Sequence, residues 1–285
     1  MFQRIKAGTR LLLGLHNPGR ALQIFPDDVF LVSFPKSGNT WTRFLIANLL
    51  HPETSVGFAN IAYLVPDVES TAKRVFDRAA RPRVIKSHHV FLPEYPRVIY
   101  IVRDPRDVAI SGYHFRRKRG VIEDQYPLDL HISRFVAGET SSYGSWGDNV
   151  ASWLVTRKHD PRFLLLRYED MIADTARELS KIAAFLNIPP DLARISHAVD
   201  ASCADSMRKL EKAQADFSGL TKTRKDLPFV RAAKAGGWKK ELPLSEVAKI
   251  EKAWGPLMRS LGYELNSCNT PDSSKVRWDD ALLST

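Results

Sequence analysis

The feature that most constrains the fold lies near the start of the chain. Residues 29–34 form a short, mostly apolar run of strand length. They pass without a spacer into Pro35-Lys36-Ser37-Gly38-Asn39-Thr40-Trp41, where a helical pattern begins and continues through residues 40–50. Further strand-length runs occur at residues 84–85, 98–102 and 163–166. Helical patterns fall at 108–119, 147–157, 171–186 and 245–261, the last stopping at Gly262. Strands and helices alternating in this way predict βαβ units: an α/β fold with a central parallel β-sheet flanked by helices, and ligands at the carboxyl ends of the strands. With 285 residues and 44% hydrophobic content, the chain can bury one large core. No internal repeat or low-complexity linker divides it. One domain is expected over residues 27–265, with an N-terminal segment at 1–26 and a polar tail at 266–285.

The junction after the first run is chemically suggestive. Successive backbone N–H groups at a helix start form an anion site with the helix dipole; Lys36 adds a point charge, and Ser37, Asn39 and Thr40 add donors. The order is not that of the Walker loop, because Lys36 precedes Gly38. A helix start beside a chance lysine is the plainer alternative. Trp41 is placed either to stack on a purine or to fill the core.

Two other strand ends carry candidate chemistry. Arg103 follows residues 98–102, where a guanidinium can grip a phosphate bidentately, and Ser111 lies in the next helix; a surface Arg–Asp network is the alternative. Lys86 and His88 end a short buried strand, whose alternation sends both to one side. Imidazole titrates near neutrality, as a general base for an alcohol or phenol should, although a lone histidine is often structural. His89 is expected to face away. Tyr168 follows residues 163–166 and reads from its position as an aromatic plug at a helix start.

These segments together resemble the cytosolic-type sulfotransferases. Residues 34–41 are similar to that family's 5′-phosphosulfate loop, with Asn39 where threonine is usual, and residues 97–115 resemble its 3′-phosphate segment. Arg83-Val84-Ile85-Lys86-Ser87-His88 resembles the family's Lys-Thr-His element, and Tyr168-Glu169-Asp170 its Tyr-Glu-Asp strand end. Arg231-Ala232-Ala233-Lys234-Ala235-Gly236-Gly237-Trp238-Lys239 is similar to its Arg-Lys-Gly-x-x-Gly-x-Trp-Lys loop, with Ala232 and Ala233 in place of the Lys-Gly pair. Ser202 to Met207 fall where a Ser-Phe-x-x-Met pattern is usual, with Ala204 replacing the phenylalanine. The resemblance implies the P-loop-like sulfotransferase fold and transfer of a sulfuryl group from 3′-phosphoadenosine-5′-phosphosulfate (PAPS), leaving the desulfated nucleotide PAP.

By the same resemblance His88 is the base, Lys86 stabilises charge at the sulfuryl group, and Lys36 stabilises the departing phosphate. Lys36, Ser37, Gly38, Asn39, Thr40 and Trp41 would hold the 5′ end. Arg103 and Ser111 would hold the 3′-phosphate, Tyr168 and Ser202 would approach the adenine, and Arg231, Ala232 and Ala233 would close over the nucleotide. No metal is expected, since lysines suffice for a sulfuryl group, which carries less charge than a phosphoryl group.

The net charge of +10, from 42 basic against 32 acidic residues, favours an anionic partner. The basic residues are dispersed and form no recognition module, which argues against nucleic acid. An ATP-dependent kinase of the wider P-loop class is disfavoured by the loop order and by Arg103 with Ser111. Cys203 and Cys268 make no disulfide framework. Residues 11–15 are too short for a signal core, and no run approaches the roughly 18 apolar residues of a membrane span. A cytoplasmic enzyme with a small-molecule or lipid-like hydroxylated acceptor, or an amine, is expected, without stable membrane insertion. The family's C-terminal dimer motif is not recognisable near residues 240–251, so a homodimer stays open. Residues 116–143 read as a polar, irregular segment, either a lid or a solvated basic helix end.

Overall fold

The structure is a computed structural model describing residues 22–214, 223–228 and 234–266. Its sheet has four parallel strands: β1 (Val29–Ser33), β2 (Val84–Ser87), β3 (Arg97–Val102) and β4 (Phe163–Arg167), in the order β2-β1-β3-β4. The register pairs Val29 with Val84 on one side of β1 and with Arg97 on the other. All four carboxyl ends therefore open on one edge. β1 is central and all five of its residues are buried.

Strand alternation separates two cores. Phe30, Val32, Tyr100 and Val102 face one layer, which includes Trp146 and Trp153. Val29, Leu31, Ile99 and Ile101 face the other, built on Phe44, Leu45 and Met171. Phe30 lies fully buried, its ring stacked 3.6 Å from that of Tyr95. Truncating such a ring to alanine costs about 3–5 kcal/mol through lost burial and the cavity left behind.

The helices that position the sheet's open edge are α1 (Asn39–Leu50), α2 (Ile61–Leu64) and α3 (Lys73–Arg78) before β2, then α4 (Pro105–Lys118), α5 (Leu128–Val136) and α6 (Trp146–Arg157) between β3 and β4. After β4 come α7 (Tyr168–Ala173), α8 (Thr175–Phe185), α9 (Leu192–Ala201), α10 (Ala204–Ala213), α11 (Trp238–Glu241) and α12 (Leu244–Ser260). Among the described residues no helix is long and apolar enough to cross a membrane.

Three expectations are corrected here. The helix expected over residues 171–186 is two, because Asp174 leaves helical geometry (φ −148°) and accepts the Arg177 N–H at 3.0 Å, capping α8. The helix expected over 245–261 kinks at Trp254 (φ −135°), two residues before Pro256. Residues 116–143 are not irregular throughout: after a turn at Gly120 they form α5, whose His131, Ile132 and Phe135 are buried on one side. The expectations for residues 1–21 and 267–285, Cys268 among them, lie outside the described residues.

Candidate active site

The chain turns out of β1 through two residues in left-handed backbone, Lys36 (φ 74°) and Gly38 (φ 96°). At Gly38 a side chain is excluded by contact as well as by φ, since a Cβ would sit 2.5 Å from the ring of Tyr168. α1 then starts with no side-chain cap, so its first N–H groups lack the usual side-chain acceptor. Around this loop, among the described residues, three buried polar atoms have no hydrogen-bond partner: Ser37 Oγ, Asn39 Oδ1 and Arg103 Nε. Of these, the Ser37 hydroxyl and Arg103 Nε are donors of the kind an anionic ligand satisfies, as are the uncapped amides of α1, whereas Asn39 Oδ1 is an acceptor.

A cavity of about 740 Å³ opens here. Of the residues expected at the site, Lys36, Gly38, Asn39, Thr40, Trp41, Lys86, His88, Arg103, Ser111 and Tyr168 all line it. Lys36 Nζ lies 3.9 Å above the Phe115 ring. Trp41 stands edge-on to Tyr168 with ring centroids 5.9 Å apart. Ser37 is fully buried behind the loop.

Ser202 is placed differently from the expectation. It is fully buried, its hydroxyl accepts from Asn48 Nδ2 at 3.1 Å, and its carbonyl accepts from Trp41 Nε1 at 3.0 Å. Its polar groups are committed to α1, and the neighbouring Cys203 and Ala204 line the cavity instead. Arg231, Ala232 and Ala233 lie outside the described residues.

At the end of β3, Arg103 donates to the carbonyls of Lys36 and Lys234, each at 3.2 Å, and its guanidinium lies 4.2 Å above the Tyr168 ring. Asp107 stands 3.6 Å from it and accepts from the N–H groups of Gly236, at 2.8 Å, and Trp238, at 2.9 Å. One buried carboxylate thus joins the arginine to the loop before α11. Beneath it Arg106 pairs with Asp104 at 2.7 Å and Glu251 at 2.6 Å, and stacks 3.9 Å above Trp238.

His88 follows β2 directly. Its Nδ1 lies 2.6 Å from the Ser33 carbonyl, so it donates there and leaves the Nε2 lone pair free of a proton. Burial, then the charges of Lys86 and Lys36, push its pKa down to about 3. Lys86 Nζ pairs with Asp67 Oδ2 at 2.9 Å, and Asp67 itself is bridged beside β2. Burial lowers the Lys86 pKa while Asp67 opposes that shift. His89 turns away to Glu69 Oε1 at 2.5 Å, and among the described residues it is not part of the cavity wall.

The sequence reading missed Asp67, Arg43, Phe115 and the joining role of Asp107. Asp107 is visible in sequence as first-turn helix chemistry, whereas nothing in the pattern pairs Asp67 with a lysine 19 positions away.

An open parallel-sheet edge with an uncapped helix start, an arginine at a neighbouring strand end and a histidine of fixed tautomer suit a group-transfer enzyme that takes an anionic nucleotide. The comparisons sharpen that class. Residues 26–262 match the family model of the sulfotransferase domain, and the chain belongs to that family. It is 29% identical over 261 residues to sulfotransferase 1A1 of Bos taurus, covering 85% of this chain and 86% of the relative. Against sulfotransferase 2A1 of Homo sapiens the identity is 26% over 250 residues, covering 84% and 87%. The crystal structure of mouse sulfotransferase SULT7A1 complexed with PAP aligns with a TM-score of 0.66 and 25% identity over 84% of this chain and 87% of that one. Retinol dehydratase, solved with androsterone and PAP, shares the fold, with a TM-score of 0.69 at 19% identity over 87% and 85% of the two chains. The chain is a PAPS-dependent sulfotransferase, transferring a sulfuryl group from PAPS to an acceptor.

Proposed function

We propose that His88 is the general base of this transfer and that the nucleotide lies between the β1–α1 loop and Arg103. The acceptor O–H or N–H proton passes to His88 Nε2, and the acceptor atom forms a bond to sulfur. The bond from sulfur to the 5′-phosphate oxygen breaks, and its electron pair leaves on that oxygen as PAP. Lys36 and the open amides of α1 face the charge developing there, and Lys86 faces the sulfuryl group. Ser111 and Arg103 hold the 3′-phosphate, and Trp41 and Tyr168 bracket the adenine. The acceptor is a small hydroxylated molecule, and the working unit is residues 27–265, in the cytoplasm.

One observation carries the assignment: the Ser33 carbonyl fixes the His88 tautomer at the very strand end from which the phosphate loop departs. A pKa of about 3 makes a weak base; burial is its largest cause, and the part that Lys86 and Lys36 add is the part an anionic nucleotide offsets. Nucleotide binding therefore raises the basicity of His88 at the moment it is needed.

The test is His88→Ala, assayed with labelled PAPS across an acceptor panel and by calorimetry with PAP. Transfer falls about 10²–10⁴-fold, while PAP binds as it does to the unaltered protein. Retained transfer, or loss of transfer together with PAP binding, overturns the role.

A further inference from the structure

Arg43 sits one turn into α1, on the wall of the cavity that also carries Asp67, Ser70, Lys86 and His88. Its Nε and Nη2 are fixed on the carbonyl of Val65, at 3.1 and 2.5 Å, and Nη2 also reaches that of Ile61 at 3.4 Å. The guanidinium is thereby held in one orientation at the carboxyl end of α2. Among the described residues Nη1 makes no hydrogen bond, so one donor edge of a fixed, partly buried arginine is unspent at the cavity wall. The acidic group nearest in charge, Asp67, is already committed: it accepts from Lys86 Nζ at 2.9 Å and from the Glu69 N–H at 2.9 Å. This wall holds two cations and one carboxylate, with His88 neutral. Burial pulls the Arg43 pKa down and Asp67 only partly restores it.

We infer that Arg43 is a specificity residue and that the acceptor carries an anionic oxygen group, such as a carboxylate, close to the hydroxyl that is sulfated. The physical reason is that a partly buried cation without its own counterion is unfavourable until a ligand supplies one, and a guanidinium edge matches oxyanion geometry. Lys36 does not fill this role, because it lies on the donor's side, over Phe115. The inference rests on the proposed function in that it takes His88 as the reacting end of the acceptor subsite.

The experiment uses the full chain with PAPS and two matched acceptor pairs: para-hydroxyphenylacetate against its methyl ester, and methyl glucuronide against methyl glucoside. The charged member of a pair reacts with a kcat/KM about ten- to a hundredfold higher, and Arg43→Gln brings the ratio close to one by slowing the charged member. Arg43→Lys, which keeps the charge but not the fork, retains part of the preference. PAP binding by calorimetry is unchanged in both variants. A preference for the neutral members, an absence of transfer to either charged member, or an equal loss for both members in Arg43→Gln overturns the inference; the last outcome assigns Arg43 to the donor. Because the preference of the unaltered protein decides by itself, the test stands even where a variant does not fold. Failure to bind PAP in the unaltered protein overturns instead the nucleotide site on which the proposed function stands.

Discussion

β1–α1 and β3–α4 are the same construction, a buried parallel strand turning into a helix on one sheet edge, yet they finish the helix start in opposite ways. α1 begins after Gly38 with no side-chain cap. α4 begins after Asp104, whose carboxylate accepts the Arg106 N–H at 2.9 Å, with Pro105 at the first position. The first junction leaves its amides open to a ligand, and the second closes its own. On the proposed function, anion recognition at the closed junction falls to a side chain, Arg103, at the strand end. On that proposal the uncapped junction serves the anion directly, and Asp104 makes the other a scaffold.

The comparison is broken first at Gly38. Gly38→Ala forces a Cβ into the Tyr168 ring and strains the left-handed backbone. PAP affinity falls by about a hundredfold or more, read by calorimetry, because the loop that presents the open amides has to move. Binding at the level of the unaltered protein refutes the reading of α1 as the 5′ site. Asp104→Ala acts on the opposite junction: it removes the cap and strips a partner from buried Arg106, so urea unfolding reports a loss of about 3–5 kcal/mol.

Arg103→Ala tests whether the closed junction has delegated recognition. Affinity for PAP drops about ten- to a hundredfold while that for adenosine 5′-phosphate is unchanged, so discrimination between the two in calorimetry disappears. Asp107→Asn has a smaller effect, since the amide keeps one acceptor for the Gly236 and Trp238 N–H groups but loses the charge facing Arg103. PAP binds about fivefold more weakly and stability falls by about 1 kcal/mol.

The smallest effect is on the pH profile. A lowered pKa means that His88 already carries its free lone pair at neutral pH, and the acid limb of kcat/KM for PAPS, which reports the nucleotide-free enzyme, moves from 6.5 toward 3. With an acceptor that does not titrate in that range, kcat/KM changes less than about twofold between pH 7 and 5.5. An inflection near 6.5 shows that burial and the cations beside the histidine do not act on it as the geometry requires.

Much of this was legible because the chemistry is local. The strand, the Lys36 loop and the helix of the proposed 5′-phosphate site are contiguous, and Lys86 with His88 and Arg103 with Ser111 lie close in sequence, the range at which propensity and spacing operate. What escaped is long-range. Asp67 meets Lys86 through a bridge added beside β2, and Arg43 is fixed by carbonyls more than a turn beyond its own helix. Ser202 illustrates the converse: a motif places the residue near the nucleotide, but whether its hydroxyl or its neighbour meets the cavity depends on Asn48, which no local pattern indicates. Asp174 ended a helix that apolar periodicity alone carries through, since a cap competes with propensity at one position.

Tyr168 belongs to neither junction and touches both. Its ring lies against Gly38, edge-on to Trp41, and beneath the Arg103 guanidinium. If the nucleotide lies as proposed, a fragment at either terminus settles this shared aromatic for the other, and calorimetric titration is expected to find that pyrophosphate and adenosine 3′-phosphate bind with positive cooperativity.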